Sequence, residues 1–498
     1  MKVQEDYFKC KGQITVFSLL VFIVVVSVLI SQYKSAVYYA CRTDAVDAAH
    51  LSVNGFLASY QKPLRDYYGI LAVDGGFGQS VFKQDIIEEQ LTRDFNDNLQ
   101  SSMIKKTVGE GFLTENPVFT YFVDGDWDFF EREIFLACQE KTVVEGVDYI
   151  VEQWKKQNDQ AQGEFNHKKR IAENTEVEIK ETAQDEIETG TVEIQDPRDL
   201  IMSIWNQGIL KAACPNGFQI SEKSVSMSDV SFPEASEYVG TQIDLKNNSS
   251  VQNLFSKWEL TLNPETHIRL LTKDLMVHSY IHDKFDHAVH GKHTLGDSEK
   301  VLKYEMEYII GGHESDSENL KTVLWKILAI RCVFNLSYLL TSSQKDNQVM
   351  VTAAALSTAF MLPHFTEVVA FVLKLSWAFA ESLSDCRTLL NGGKIPLMKN
   401  DDTWYLNWED ILQLYDEMLD GNQSQVGLDY ESYLQILLAF TEKDTKYRRM
   451  THLIEKNIRK LPEYSGFKMK KCVYGIQVSF GCELGDFGTH EFQTALSY

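Results

Sequence analysis

Five histidines fall within one short stretch: His278, His282, His287, His290 and His293, with Asp283 and Asp286 among them. Imidazole and carboxylate are ligands that zinc takes. His278 and His282 are four apart, so on a helix they share one face, as two ligands of one ion would. The His-Glu-x-x-His pattern of zinc hydrolases is absent, and Gly291-Lys292 sets the later three histidines in a loop. Surface histidines in water are the expectation, and no metal ligand is assigned.

Carboxylates form the second group. Glu305 and Glu307 stand two apart in Tyr304-Glu305-Met306-Glu307-Tyr308. Paired acids hydrolyse glycosides when they sit close together and their pKa values are split, but two positions apart they lie on different faces of a helix. The expectation is an ion pair of Glu305 or Glu307 with Arg331 across packed helices. Glu381 and Asp385 are four apart, on a helix that also carries Arg387 and runs to Gly392. They have the spacing to ligate a cation, yet Trp377 and Phe379 mark a packed helix, with Lys394 expected to cap its polar side. Ser279 and Ser382 lack the strand-turn-helix setting of a nucleophile elbow. Gly75-Gly76-Phe77-Gly78 fails the dinucleotide fingerprint because its third glycine falls at Val81; a turn is expected. No catalytic, cofactor-binding or metal-binding residue is assigned, no cofactor is implied, and the chain reads as a non-enzyme.

The element that must position everything else is the uncharged run from Ile14 to Ile30. A helix rises ~1.5 Å per residue, so the run covers roughly 26 Å and, with Ser31, Gln32 and Tyr33, reaches a bilayer core of ~30 Å. The segment 14–33 is read as a transmembrane helix in contact with membrane lipid, and 1–13 as a cytoplasmic N-terminus. Ala36 and Ala40 make poor sites for a signal peptidase, because Lys34 and Tyr38 precede them; an uncleaved signal anchor is the reading adopted. Lys11-Gly12 before the run also fits a prepilin leader, although Phe17 stands where pilins place a glutamate. Lys2, Lys9 and Lys11 against Lys34 and Arg42 put the N-terminus inside and the C-terminal domain outside the cell.

Ala36, Ala40, Ala45, Ala48, Ala49, Val53, Phe56 and Leu57 continue an apolar stripe at helical spacing. Residues 34–62 therefore read as an amphipathic stalk helix ended by Pro63. Residues 63–154 read as a small α+β region: a strand at Tyr67–Asp74, helices at 82–100 and 129–154, and a strand at Val118–Val123. The stretch 155–195 is polar and charged, as flexible linkers are. Asp196-Pro197 then opens a helix through Leu210 as N-cap and first residue. The domain 196–498 reads as mainly helical. It has a strand at Trp258–Leu262, helices at 317–341, 347–361, 364–390, 407–419, 429–440 and 444–459, and a C-terminal β hairpin over Cys472–Leu484 with Gly481. Asn347–Thr366 carries no formal charge, but its threonines, Pro363 and His364 suit a buried core helix better than a second span. The fold class is α+β, mainly α-helical.

Nine prolines in 498 residues fit long helices. The net charge of −23 excludes a phosphate-dominated nucleic-acid partner. Eight scattered cysteines show no zinc spacing. Cys472 and Cys482 flank a strand-like stretch where a disulfide is conceivable; buried or free thiols are the expectation.

Several segments in order carry a resemblance. They are Gly12-Gln13-Ile14-Thr15-Val16-Phe17, Leu64-Arg65-Asp66-Tyr67-Tyr68-Gly69-Ile70, Asp196-Pro197 through Gly208-Ile209-Leu210, Tyr304–Ile309, Trp377–Ser382, Gly392–Leu397 and Leu428–Leu434. The chain resembles an uncharacterised family of single-anchor proteins of Firmicutes, with a domain of unknown function, whose genes lie near those for Tad (Flp-type) pili. The N-terminus is similar to TadE-type minor pilins. The resemblance implies an accessory, pseudopilin-like component of a pilus or surface assembly system, with other Tad-type pilin or assembly proteins as partners. A membrane-tethered cell-envelope hydrolase using Glu305, Glu307 or Glu381, and a surface binding module, are the alternatives.

Overall fold

The computed structural model describes residues 2–101, 108–124, 127–139, 208–232, 268–290, 294–295, 298–359, 363–408 and 427–498. The expected linker 155–195, the Asp196 cap, the strand at Trp258–Leu262, nearly all of the helix at 407–419 and His293 lie outside these residues. The chain divides into two compact units, Met1–Phe130 with Glu463–Tyr498, and Glu131–Pro462.

The first unit is built on one long helix, α1 (Lys2–Ala58). No proline falls within it, and the membrane run passes into the stalk stripe without a break. Its apolar side chains are exposed from Ile14 to Tyr33, with Phe17 at 68%, except the half-buried Val26. From Cys41 onward the same helix buries Cys41, Ala45, Ala48, Ala49, Val53, Phe56 and Leu57, a spacing of three and four that keeps one face inward. An N-terminal anchor running into a mixed ectodomain is therefore the observed architecture.

The helix stops at Ala58, earlier than expected, and Pro63 opens the next helix, α2 (Lys62–Tyr68), where its missing N–H costs nothing. Gly69 closes α2 in the left-handed region (φ 68°). Tyr67 and Tyr68 are thus helical, and the expected strand shrinks to β1 (Val73–Asp74). The glycine-rich segment is a turn: Asp74 accepts from the backbone N–H of Gly76 (2.9 Å) and Gly78 (2.7 Å). Then follow α3 (Gln84–Ser101), β2 (Gly111–Leu113) and β3 (Val118–Tyr121); α4 (Asp128–Gln139) begins here and belongs from Glu131 to the second unit.

The chain's last strands return to this unit. β4 (Cys472–Glu483) pairs antiparallel with β1 and β5 (Thr489–Ser497) on one edge and with β3 and β2 on the other. The C-terminal hairpin therefore belongs with the N-terminal unit and not with the helical domain. Its turn also lies later than expected, because Cys472 to Glu483 is a single strand that turns only at Leu484–Gly488. Ile476, Val478, Phe480 and Cys482 alternate onto one face and join α1 and α3 (Ile87, Leu91, Phe95) in one core. The Tyr498 hydroxyl donates to the Leu57 carbonyl at the end of α1.

The second unit is helical: α5 (Ile209–Ala213), α6 (Ile268–Lys284), α7 (Glu305–Gly311), α8 (Asp316–Thr341), α9 (Ser343–Ala359), α10 (Thr366–Leu390), α11 (Tyr430–Ala439) and α12 (Lys443–Arg459). α8 packs on α10, α9 on α10, and α7 on α8 and α12. The uncharged stretch Asn347–Thr366 is split: α9 ends at Ala359, a 3-10 turn covers Pro363–Phe365, and α10 begins at Thr366. α9 buries Val349, Ala353 and Ser357 on one face and exposes Val351, so it is an edge helix instead of a wholly buried one. α8 is long and apolar enough to cross a membrane by length and composition, but half of it is buried in this unit.

Candidate functional site

Helix α7 is short, and all seven of its residues are buried. Apolar packing of Met306, Ile309 and Ile310 holds it inside the unit, which carries Glu305 and Glu307 in with it. Arg449 secures its end by donating to the Ile309 carbonyl at 2.9 Å. Gly312 follows in the left-handed region (φ 77°), where any side chain would collide with that guanidinium.

The two glutamates point to different partners, as their spacing requires. Glu305 accepts from Lys300 Nζ (2.6 Å), the Asp286 N–H (3.0 Å) and Asn457 Nδ2 (2.7 Å). Glu307 Oε1 accepts from the Tyr430 hydroxyl (2.8 Å) and the Ala288 N–H (2.9 Å). Its Oε2 is buried and has no hydrogen-bond partner among the described residues. Burial raises the pKa of both, and that of Glu307 reaches about 7. Neither pairs with Arg331. That expectation fails because Lys300 and Tyr430 supply nearer donors.

Arg331, on α8, is completely buried and meets the other carboxylate pair. Its Nε donates to Asp385 Oδ2 at 2.9 Å. Nη1 donates to the Pro396 and Leu397 carbonyls (3.0 and 2.9 Å) and to the Tyr433 hydroxyl (3.1 Å), and Nη2 to Asn335 Oδ1 (3.1 Å). Asn335 in turn donates to Asp385 Oδ2 and Ser382 Oγ, both at 2.9 Å. Lys399 bridges Glu381 and Asp385, lying 2.6 Å from Asp385 Oδ1. The expected cap, Lys394, is not this partner; Lys399, five residues on, reaches inward instead. Glu381 also accepts from the Tyr405 (2.9 Å) and Leu406 (2.8 Å) N–H groups.

Burial raises the Glu381 pKa. Burial also opposes the Asp385 charge, but Lys399 and Arg331 outweigh it and hold that carboxyl below its usual range. Two cations and two carboxylates cancel, and every named oxygen has an internal donor. The arrangement clamps the segment 395–406 onto α8 and α10. Arg387 goes elsewhere, to the Ala212 carbonyl (2.8 Å). The Ser382 hydroxyl donates to the Ala378 carbonyl (2.6 Å), so it is not set against a base.

The histidines separate. His278 is buried and its Nε2 lies 3.0 Å from Lys446 Nζ of α12. Burial, then the Lys446 charge, brings its pKa down to about 3, so it stays neutral and accepts. His282, one turn on, reaches Glu431 of α11 at 2.7 Å, which raises its pKa. One helix face thus serves two partners, not one ion. His287 is buried, with its ring 5.9 Å from that of Tyr430, and burial lowers its pKa to about 4. His290 is exposed. Among the described residues no three of His, Cys, Asp and Glu converge as metal ligands do.

Sequence reasoning missed Lys300, Lys399, Tyr430 and Asp316. Asp316 accepts from Ser221 Oγ (2.6 Å) and from the N–H groups of Lys303 (3.0 Å) and Tyr304 (3.1 Å). A lysine in a loop ordinarily reads as solvated surface, so only the unmatched acids on helices α7 and α10 signalled that cations must come inward.

The model of the Family of unknown function (DUF5702) matches residues 188–484, more than half of the chain. No curated protein and no solved structure matches it.

Proposed function

The chain belongs to the Family of unknown function (DUF5702), and from its own architecture we propose that it is a membrane-anchored, non-enzymatic, pseudopilin-like accessory component of a Tad-type pilus or related surface assembly system. The observation that carries this reading is the continuity of α1. One unbroken helix exposes an apolar run sized for a bilayer and then packs one face into the core of an α+β unit. Such a helix presents its apolar half rigidly, and in a bilayer apolar helices associate through close packing. Ser27, Ser31 and Ser35, spaced by four, give that half a small-residue stripe on which another helix can approach.

The internal pairing of Glu381 and Asp385 with Lys399 and Arg331 supports a structural role for those acids over the hydrolase alternative. In this reading the N-terminus is cytoplasmic, the two units are extracellular, and pilin-like helices are the partners. The ectodomain primes, caps or docks a fibre.

Deleting the gene in its native host and counting pili tests the proposal. Fewer or shorter pili and weaker adhesion are expected; unchanged number, length and adhesion would refute it. A mature N-terminus at Gln13 in sheared fibres identifies a processed subunit, and an intact Met1 in the membrane fraction identifies a fixed anchor.

A further inference from the structure

Lys300, Glu305 and Asn457 meet inside the helical unit, where α7 packs on α12. Glu305 and Asn457 have no exposed surface, and Lys300 has 5%. Glu305 bridges the other two. Its Oε2 accepts from Lys300 Nζ at 2.6 Å and its Oε1 from Asn457 Nδ2 at 2.7 Å. The Asn457 Oδ1 is held as well, because Val301 donates its backbone N–H to it at 2.8 Å. Lys300 Nζ also donates to the Lys284 carbonyl (2.7 Å) and lies 3.5 Å from Asp286 Oδ2. The Phe285 ring centre is 5.9 Å from it.

An ion pair accounts for Lys300 and Glu305 but not for the amide that shares the same carboxylate. The groups stand in the roles that acyl transfer requires. The Lys300 amine is a nucleophile taken out of water. The Glu305 carboxyl touches both that amine and the amide nitrogen, so it can take a proton from one and give it to the other. The Val301 N–H points at the oxygen on which negative charge would develop. Asn457 supplies the acyl carbon. Burial raises the Glu305 pKa, which favours the carboxylic acid once the lysine proton has crossed. Lys399 makes the contrast. The group it meets, Asp385, is kept ionised by Lys399 itself and by Arg331, and a carboxylate anion is a poor target for an amine.

We propose that Lys300 and Asn457 become joined by an intramolecular isopeptide bond, with Glu305 as the catalytic acid and base. A proton passes from Lys300 Nζ to Glu305 Oε2 and leaves a neutral amine. The nitrogen lone pair attacks Asn457 Cγ, and the Val301 N–H stabilises the negative Oδ1. Glu305 gives its proton to Nδ2 and takes a second one from Nζ. The Cγ–Nδ2 bond breaks, ammonia leaves, and the new Nζ–Cγ amide remains beside a protonated Glu305. The reaction happens once per chain and needs no other reactant. It ties the segment before α7 to α12, so the helical unit bears tension without coming apart. It depends neither on the membrane anchor nor on any role in pili.

The test is the mass of the full-length protein, purified and denatured, followed by peptide mapping. Wild type is expected to be lighter than its sequence by one ammonia and to yield a branched peptide linking Lys300 to Asn457. Glu305→Gln keeps the shape of the bridging side chain and should retain the full mass, with an unchanged circular dichroism spectrum. Lys300→Met and Asn457→Ala each lack one partner and should also retain the full mass, folded or not. Wild type at full mass with linear peptides would overturn the proposal. So would loss of ammonia that persists in Lys300→Met, which would assign it to cyclisation of an asparagine on its own backbone.

Discussion

Arg331 and Asp385 face each other across α8 and α10, with Arg331 Nε 2.9 Å from Asp385 Oδ2 and both side chains removed from water. Removing one partner of such a pair leaves an uncompensated charge where solvent cannot reach it. Arg331→Met should destabilise the helical unit by about 3–5 kcal/mol, read as a lower urea midpoint. Adding Asp385→Leu should recover part of the loss, because a buried pair is costly to desolvate in the first place. A change below about 1 kcal/mol in the single variant would show that the pair is not a structural clamp.

Glu307 gives the helical unit a dependence on pH. Its carboxyl is raised from the ordinary range to about 7 by burial. The folded state therefore holds this proton more tightly than the unfolded chain does. Its contribution is fully present below about pH 4.5 and is lost as pH rises through 7. Glu307→Gln mimics the protonated form. The variant should match wild type at pH 4 and exceed it at pH 8 by on the order of 3 kcal/mol. A constant difference across that range would contradict a titrating Glu307.

His287 works in the opposite direction. Burial lowers its pKa to about 4, so its contribution is complete above the ordinary value near 6.5 and is lost as pH falls toward 4. His287→Phe keeps a ring beside Tyr430 and cannot be protonated. Its stability relative to wild type should therefore rise as pH drops from 6.5 to 4. His278, held neutral beside Lys446, adds a second acid-sensitive group of the same sign.

The two halves of α1 should respond differently to truncation. Phe56 is fully buried in the first unit, whereas Phe22 is exposed along the membrane run. Phe56→Ala should cost about 3–5 kcal/mol, seen as faster amide exchange in Cys472–Glu483. Phe22→Ala should leave that exchange unchanged. Equal effects would mean that the sheet does not depend on the stalk half.

Cys472 and Cys482 begin and nearly end one strand, which places them about 33 Å apart. A disulfide between them is therefore impossible without unfolding β4. Peptide mapping without reduction should find no Cys472–Cys482 link.

Periodicity made the helices legible. The spacing of Cys41, Ala45, Ala48, Val53 and Phe56 announced a stalk, and α8, α10, α11 and α12 begin and end within about two residues of the expected positions, the usual scatter of helix ends. Long-range pairing was not legible. Nothing local in Val473 or Phe480 says that β4 must sit between β1 and β3, 350 residues away or more. The acids at Glu305, Glu307, Glu381 and Asp385 stood out because burial of an apolar helix drags its charges inward. Their partners did not stand out, because Lys300 and Lys399 lie in loops without any periodic pattern. The same blindness misassigned Arg331 and Lys394.

The most direct test of an assembly role is a photo-crosslinking amino acid placed at Ile23, in the exposed apolar half of α1, in cells that make the pili. The account predicts covalent adducts with small proteins bearing an apolar N-terminal helix, identified by mass spectrometry and absent when those proteins are deleted. Adducts with lipid alone, in cells that are visibly piliated, would contradict it.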